Sequence, residues 1–524
     1  MGRGKLLYII TFYAVQLQTT QTSLQNTVQD CNQSSKNKMK DAELNEIDPE
    51  KQPVARETQT GNEKNGYAKV SIPGDMRVKL SGLTKDELMK IAGTVWWIRA
   101  RWFLLVLFWL GWVGMLAGAV VIIVHAPRCK PIPEMNWWNE GPLYQISKVN
   151  EFSDNGLKGV EEKLDYLNHM KVKGLVLGPI HTVQADQLST LDLTSIKPEV
   201  GTEKELESLL DQAHIKGIPI VLNLTPNYER NSAWFSNASS VAEKLREACK
   251  YWLNKGFDGI FLSGLSDIVN TSTWTSIQAI FNKTDATPIK ALMGSVTGVS
   301  VDDVSRLLNS SGVDLFTTQL LDPIKAQEVQ KLYNNHLQSS LAWSLSGQTL
   351  GTVASTRPAE PIRLCHILLF TLPGTPVVNA GDEVGLKAGE KLQTMWDLES
   401  PAETNATAKA VQEERIAVRD FFKTLSDLRG NERALLHGEF INLNNASSSL
   451  AFLRLWDQSE RFLTAINWGN SPVTMTLSNS DLPAQAKVRI STDAANFAVD
   501  SMVSLEKFQL GPQQAVLLSY PYAG

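Results

Sequence analysis

The most apolar stretch of the chain runs from Trp102 to Val124 and contains no charged residue. A helix of that length would reach about 35 Å, enough to cross a hydrocarbon core of about 30 Å. Tryptophans stand near both ends, at 96, 97, 137 and 138, as they do at membrane interfaces. A buried helix of a soluble protein is the alternative, but such a helix normally keeps a polar stripe. The pattern predicts one transmembrane helix over residues 102–124.

From residue 141 onward, short apolar runs alternate with amphipathic stretches, a pattern typical of parallel α/β folds. Eight such runs with intervening helices predict a closed (β/α)8 TIM barrel over 141–430. After the segment at 427–440 the pattern contains strands only, namely SLAFLRLWD, RFLTAINWG, VTMTL, AKVRIS and AVLLSY, which predicts an antiparallel β-sandwich in the domain over 431–524. The fold class is therefore α/β, with a single transmembrane helix before the barrel. The predicted barrel strands are LYQI at 143–146, GLVLG at 174–178, IPIVLNL at 218–224, GIFLS at 259–263, IKALMG at 289–294, DLFTT at 314–318, SLAWS at 340–344 and TPVVN at 375–379.

The residues before the span differ sharply from the rest. Residues 1–80 are polar with few aromatics, which predicts a disordered tail. Within them, Arg3 and Lys5 precede an apolar run that imitates a secretory signal peptide, and its cleavage would make the span a stop-transfer helix. Because no small-x-small cleavage site follows, we interpret the segment as uncleaved.

Two short segments flank the span. Residues 81–101 predict a juxtamembrane helix, since Thr84 and Glu87 have the spacing of a capping box. Residues 125–140 predict an extracellular neck.

Charge and glycosylation motifs indicate the orientation. Basic residues before the span outnumber those after it, namely Lys85, Lys90, Arg99 and Arg101 against Arg128 and Lys130, which predicts a cytosolic N-terminus. Seven of the eight N-x-S/T motifs lie after the span, the exception being the one at Asn32, so the C-terminal part is predicted to be an extracellular glycoprotein on a type II signal-anchor. Asn223 lies in a predicted buried strand and is a poor candidate. The better candidates are Asn237, Asn270, Asn282, Asn309, Asn405 and Asn445.

Composition excludes several classes of protein. The net charge of −5 comes without a basic tract, so no nucleic-acid partner is expected. No Cys or His cluster has metal-ligand spacing, and we expect neither a metal nor a cofactor. With only four cysteines, the extracellular part must be stabilised by packing instead of a dense disulfide framework. Cys249 and Cys365 lie on apolar helical stripes and are predicted to be core thiols, although a bond between them stays open.

Three segments resemble the α-amylase superfamily: GLKGVEEKLDYLNHMKVKGLVLGPI at 156–180, GFDGIFLS at 256–263 and FTLPGTPVVNAGDEVGL at 370–386. The resemblance implies that family's barrel. Hydrolysis in the family needs an Asp nucleophile after strand 4, a Glu acid/base after strand 5 and an Asp near strand 7, because a retaining glycosidase places two carboxyl groups about 5 to 5.5 Å apart.

This chain departs from the family at each of these positions. Phe261 stands where the family has Arg, and Ser263 stands where it has the nucleophile. Ser295 follows Gly294 in place of the acid/base, and AWSLS at 342–346 holds no carboxylate. Because serine cannot form the glycosyl-ester intermediate, we predict an inactive barrel. The short connection after Tyr228 further predicts that domain B, the family's insertion after strand 3, is missing.

Two features near the span indicate a partner. Cys129 lies just after it in the proline-rich segment PRCKPIP, on the predicted oxidising side and without an obvious intrachain mate, which suits an intermolecular disulfide. A spare exposed thiol is the alternative. Within the span, Gly111, Gly114 and Gly118 form a small-residue face that permits close approach of another helix.

The tail, signal-anchor, juxtamembrane Cys and inactive barrel together resemble the heavy chains of the heteromeric amino-acid transporters, in particular the type without domain B. That resemblance implies a non-catalytic subunit, linked through Cys129 to a multi-spanning light chain. It implies that the subunit stabilises the light chain, as a chaperone would, and brings it to the plasma membrane for amino-acid exchange. Membrane lipid is a further expected contact, and the family implies an association with integrins. A type II membrane α-glucosidase and a glycan-binding or adhesion receptor remain the alternatives.

Overall fold

The computed structural model describes residues 84–125, 129–184, 186–228, 234–235, 238–281, 289–296, 300–319, 326–346, 351–356, 361–396, 398 and 406–523. The predicted tail over 1–80 lies outside the described residues. So do the candidate glycosylation residues Asn237, Asn282 and Asn405.

The first two helices in the described part of the chain are α1 (Lys85–Ala92) and α2 (Val95–His125). The Glu87 carboxylate accepts hydrogen bonds from the Thr84 N–H at 3.1 Å and the Thr84 hydroxyl at 2.9 Å, so α1 begins where the capping-box spacing predicts. The predicted juxtamembrane helix over 81–101 is wrong in its extent. The chain breaks at Gly93 and the long helix begins at Val95, because residues 95–101 continue the helical run of the apolar segment.

Eight parallel strands close into a barrel in the order β1-β10-β9-β8-β7-β6-β5-β2, which confirms the predicted TIM-barrel fold. Each lies within a few residues of its predicted position. Their bounds are β1 Leu143–Ile146, β2 Gly174–Leu177, β5 Ile220–Asn223, β6 Gly259–Ser263, β7 Ala291–Val296, β8 Leu315–Gln319, β9 Leu341–Ser344 and β10 Thr375–Asn379.

Alternation along these strands builds two apolar layers. Inward side chains such as Val221, Phe261 and Met293 form one cluster at the barrel axis. Their outward neighbours, such as Leu222 and Ile260, join a larger cluster beneath the helices. Because successive strand residues point to opposite sides, continuous apolar runs can fill both layers.

Helices cover the barrel. In α6 the residues Leu206, Leu209, Leu210 and Ala213 are buried on one face, as a 3.6-residue period requires. The helices after the span are α3 Val149–Phe152, α4 Gly156–Glu162, α5 Leu164–His169, α6 Glu203–Ile215, α7 Ala238–Lys255, α8 Trp274–Phe281, α9 Val301–Ser311, α10 Ala326–Asn335, α11 Val353–Thr356, α12 Ile362–Thr371, α13 Ala406–Asn431 and α14 Arg433–His437.

An antiparallel hairpin, β3 (Thr182–Gln184) with β4 (Gln187–Asp192), projects after β2. The sequence did not predict it, because its strands are largely polar. Its turn contains Asp186 at φ +60°, a left-handed conformation that Asp adopts more readily than most residues.

The C-terminal part contains a six-stranded antiparallel sheet, β11-β12-β13-β18-β15-β16, and a two-stranded sheet, β14-β17. The strands are β11 Glu439–Asn445, β12 Ser449–Leu455, β13 Arg461–Asn467, β14 Val473–Met475, β15 Gln485–Ser491, β16 Met502–Ser504, β17 Phe508–Leu510 and β18 Gln514–Tyr520. The sequence pattern after residue 440 predicts β12, β13, β14, β15 and β18, whereas β11, β16 and β17 are additional.

The larger sheet is buried on both faces. In β12, Leu450 and Phe452 join the cluster shared with the barrel helices. The alternate residues Ala451 and Leu453 join a second cluster with Phe508 of the smaller sheet. The sheet therefore packs on the barrel with one face and on β14-β17 with the other, as in a sandwich.

Two buried arginines connect the barrel to this sheet. Arg429 of α13 donates to the carbonyls of Phe370 at 2.5 Å and Leu372 at 2.9 Å. Arg454 of β12 donates to the carbonyl of Thr371 at 3.0 Å. The last carbonyls of a helix have no partner within it, so the two guanidinium groups satisfy the C-terminal end of α12 and join it to α13 and β12.

Candidate functional site

The mouth of the barrel, at the carboxyl ends of its strands, is where TIM-barrel enzymes carry their chemistry. Side chains alternate along a strand, so the residue two positions after a member of the apolar axial cluster also points inward, at the mouth. These residues are uncharged on all seven strands that supply one: Gln145, Asn223, Ser263, Ser295, Thr317, Ser344 and Asn379. This ring offers hydrogen-bonding groups without a carboxylate.

Ser263 and Ser295 are the residues at the family's nucleophile and acid/base positions, and they lie side by side. They are paired in the β6–β7 register, and their hydroxyl oxygens are 3.4 Å apart. The Ser263 N–H donates to the Thr225 hydroxyl at 2.9 Å. Phe261 lies one layer deeper, where its ring is 3% exposed and packs in the axial cluster. A serine acts as a nucleophile when an adjacent base activates it, and the hydroxyl contact described for Ser263 is with another serine.

Asp258, the carboxylate nearest in sequence to the strand-4 motif, lies at the opposite end of the barrel. It precedes β6 and accepts hydrogen bonds from the Ile220 N–H at 2.9 Å and the Lys290 ammonium at 3.2 Å. His214 Nε2 is 2.8 Å from the same carboxylate. Asp267, beyond the strand, is exposed in a short turn. Asp258 is engaged at the base and Asp267 is solvated, so neither occupies the family's nucleophile position.

Two buried carboxylates that sequence reasoning did not single out follow β10. Asp382 accepts hydrogen bonds from the Ser346 hydroxyl at 2.5 Å and the Val353 N–H at 2.7 Å. Glu383 accepts from the Tyr144 hydroxyl at 2.8 Å. Burial raises the pKa of Asp382 to about 7 and also raises the pKa of Glu383. Their oxygens are bound by protein donors, so these carboxylates hold the loops together.

A cavity of about 780 Å³ opens at one side of the mouth. Loops that follow β1 and β10 line it, including Ser147, Glu151, Asn379 and Gln393. Lys148 and Glu151 form an exposed ion pair there at 2.6 Å. The Ser263–Ser295 pair lies on other strands, so this cleft is separate from the position of hydrolytic chemistry. Within the described ranges, no group of three or more His, Cys, Asp or Glu side chains is placed to hold a metal ion.

The second candidate region is the apolar helix and the residues that follow it. In the described part of the chain, α2 is the one helix that is long and apolar enough to cross a membrane, and none of its most apolar window is buried. Gly111, Gly114 and Gly118 recur at spacings of three and four, on one face of the helix, with open space where a Cβ would stand. Cys129 is an exposed free thiol.

Other predicted positions differ in exposure. Cys249 is a buried free thiol, and burial raises its pKa to about 12, which makes it unreactive. Asn223 is fully buried, whereas Asn270, Asn309 and Asn445 are exposed. These three asparagines are therefore accessible to glycosylation.

Comparison with known proteins links both regions to one family. Residues 68–144 match the family described as "Solute carrier family 3 member 2 N-terminus", and residues 147–279 match "Alpha amylase, catalytic domain". The chain is 39% identical to "Amino acid transporter heavy chain SLC3A2" of Rattus norvegicus, over 92% of this chain and 98% of that protein. It is 25% identical to "Amino acid transporter heavy chain SLC3A1" of the same organism, over 88% of this chain and 90% of that protein.

A solved structure extends the comparison to the fold. Trehalose-6-phosphate hydrolase (TreA) of Bacillus licheniformis superposes with a TM-score of 0.56 at 16% identity, over 74% of this chain and all of that one. At that identity the likeness concerns the fold alone.

Proposed function

Because this chain belongs to the family of amino acid transporter heavy chains that includes SLC3A2, we propose that it is a non-catalytic heavy-chain subunit. In this proposal it is disulfide-linked to a multi-spanning light chain, stabilises that chain and brings it to the plasma membrane. The light chain then exchanges amino acids. Contact with membrane lipid and an association with integrins belong to the same proposal.

The observation that carries the non-catalytic role is the uncharged ring at the barrel mouth. A retaining glycosidase needs two carboxyl groups across the scissile bond, and Ser263 and Ser295 occupy those positions with hydroxyl oxygens 3.4 Å apart. The buried Asp382 and Glu383 are held by protein donors and supply no replacement. The barrel is thus a binding and folding scaffold in this proposal.

The span and the residue after it supply the attachment. A free exposed thiol at Cys129 follows a helix whose glycine face leaves room for a neighbouring helix. The proposed topology is type II with a cytosolic N-terminus, because the basic residues cluster before the span. The exposed Asn270, Asn309 and Asn445 then lie on the glycosylated side.

Non-reducing electrophoresis of the full chain expressed in mammalian cells tests the attachment. Cys129→Ser should abolish the high-mass species, whereas Cys249→Ala, which changes a buried thiol, should keep it. Affinity purification in mild detergent followed by mass spectrometry should identify a multi-spanning transporter. An unchanged high-mass species in Cys129→Ser would show that the proposed disulfide is wrong.

A separate assay tests the absence of catalysis. The purified full chain should not hydrolyse maltose or nitrophenyl glucoside. Hydrolysis at an ordinary enzymic rate would replace the proposal with a membrane α-glucosidase. Specific glycan-array binding without a co-purifying transporter would instead favour a receptor.

A further inference from the structure

The neck between the span and the barrel is fixed to the folded domain at two points. The first is the base of the barrel, where Trp138 is 2% exposed and packs in the axial cluster with Leu143 and Phe261. The hydroxyl of Thr375 donates to the Trp138 carbonyl at 3.0 Å. The Asn139 side-chain amide also donates to the Ser339 carbonyl at 2.8 Å. The end of the neck therefore closes the base of the barrel.

The second point lies eight positions earlier in the chain, next to Cys129. The Lys130 N–H donates to Asp457 Oδ2 at 2.9 Å. Asp457 occupies the turn between β12 and β13 at φ +40°, and the Ser459 N–H closes that turn on the Trp456 carbonyl at 2.9 Å. A carboxylate accepting a backbone N–H forms a charge-assisted hydrogen bond, which is stronger than a neutral one.

The chain between these two points is stiff. Pro131 and Pro133 fix their own φ angles, and each restricts the residue before it to extended conformations. Lys130 is one of those restricted residues and Ile132 is the other. The backbone at Cys129 is thus adjacent to a restrained segment whose two ends are bound to the folded domain.

We propose that Asp457 is a positioning residue for the intersubunit disulfide, because its hydrogen bond to Lys130 fixes where the Cys129 thiol is presented. This inference rests on the proposed function, in which Cys129 pairs with a light-chain cysteine. A disulfide forms only when the two Cα atoms are about 4.4 to 6.8 Å apart. Restricting the position of one thiol raises its effective concentration near the other when the two chains are already associated.

Substitutions at Asp457 can remove the acceptor without straining the turn. Asp457→Gly tolerates the positive φ and lacks the side chain. Asp457→Asn also tolerates that φ and keeps an acceptor oxygen. Lys130→Pro removes the donor itself, and Lys130→Ala is its control because it keeps the N–H.

The measurement is a dithiothreitol titration of the purified complex, with the covalent fraction read on non-reducing gels. Asp457→Gly and Lys130→Pro should each lower the dithiothreitol concentration for half-reduction about two- to tenfold, the range expected for the loss of one solvent-exposed hydrogen bond. Asp457→Asn and Lys130→Ala should remain near the parent protein. The double variant should be no more sensitive than either single variant, since both remove one interaction.

Co-purification of the light chain after full reduction distinguishes an effect on the disulfide from an effect on folding or association. If Asp457 only positions the thiol, the amount of co-purified light chain should be equal in all variants. If Asp457→Gly is half-reduced at the same dithiothreitol concentration as the parent protein, and the light chain co-purifies equally with both, Asp457 is not a positioning residue. Loss of co-purification in Asp457→Gly with retention in Lys130→Pro would assign the turn a structural role instead. If Cys129→Ser keeps the high-mass species, the proposed function itself fails, whatever Asp457 does.

Discussion

The two ends of strand β6 differ in what their polar residues do. At the base, Asp258 accepts a backbone N–H and contacts a lysine and a histidine. At the mouth, the Ser263 hydroxyl lies 3.4 Å from the hydroxyl of Ser295 across the strands. The chain has the carboxylate that joins β5, β6 and β7, and it has serines where a hydrolase carries its catalytic acids. The base of the barrel serves the fold, whereas the two serines at the mouth support the proposed non-catalytic role.

The substitution expected to have the largest effect is Asp258→Ala. Loss of the carboxylate leaves the Ile220 N–H and the partly buried Lys290 ammonium without their acceptor, which should lower the free energy of unfolding by about 2 to 4 kcal/mol. Ser263→Ala removes one weak hydroxyl contact and serves as the matched control, with an expected change under about 0.5 kcal/mol. Chemical denaturation in detergent measures both. Equal effects at the two ends would contradict the comparison.

A pH series sharpens the comparison further, because the mouth side carries buried histidines without a carboxylate partner. Burial lowers the pKa of His181 and of His366 to about 4. Between pH 6.5 and 4 each of these histidines therefore binds more protons in the unfolded chain, and its contribution to the free energy of unfolding should fall as pH falls. Asp382, with its pKa raised to about 7 by burial, and Glu383, whose pKa burial also raises, act in the opposite direction, so the histidine effect is measured as the difference between the parent protein and a histidine variant.

His181→Phe isolates this effect, since the edge-to-face ring contact with Tyr228, at 5.0 Å between centroids, can be kept by phenylalanine. The substitution should remove about 2 kcal/mol of the acid destabilisation between pH 6.5 and 4.5. Thermal unfolding across this pH range gives the result. A pH dependence identical to that of the parent protein would mean that His181 does not titrate in the folded chain.

The smallest expected effect concerns restoration of the acids. Ser263→Asp with Ser295→Glu places two carboxylates in adjacent registers, and their repulsion should cost about 1 kcal/mol in the partly exposed mouth. Hydrolysis of nitrophenyl glucoside should stay undetectable, because Phe261 replaces the family's Arg and AWSLS supplies no third carboxylate. Activity in this double variant, above that of Ser263→Asn with Ser295→Gln, would show that the mouth is otherwise competent for catalysis.

Local pattern predicted the barrel well, since each strand is a short apolar run bounded by turn residues. The serines were identified by the resemblance to the α-amylase superfamily, and strand alternation explains why both point inward at the mouth. The hairpin β3–β4 escaped prediction because residues such as Gln184 and Gln187 carry no apolar alternation. Its location depends on the turn at Asp186 and on packing.

Long-range polar contacts were outside the reach of such patterns. Asp457 is one charged residue in a surface turn, and its partner Lys130 lies 327 positions earlier. Arg454 reaches the carbonyl of Thr371 across 83 positions. Periodicity along the chain does not predict a hydrogen-bond acceptor this far away. From sequence alone, an Arg within a strand is expected to be exposed, because its buried carbonyl partners are known only from the fold.

The arginine pair has a consequence for biosynthesis. Since Arg429 and Arg454 satisfy the carbonyls that end α12, the barrel cannot complete its buried hydrogen bonds until residues of the C-terminal sheet have been synthesised. A chain that emerges from N- to C-terminus therefore leaves the Thr371 carbonyl without this donor while the 83 residues up to Arg454 are synthesised. Truncation between β10 and β12 should yield a product retained and degraded in the compartment where it folds, even though every barrel strand is present.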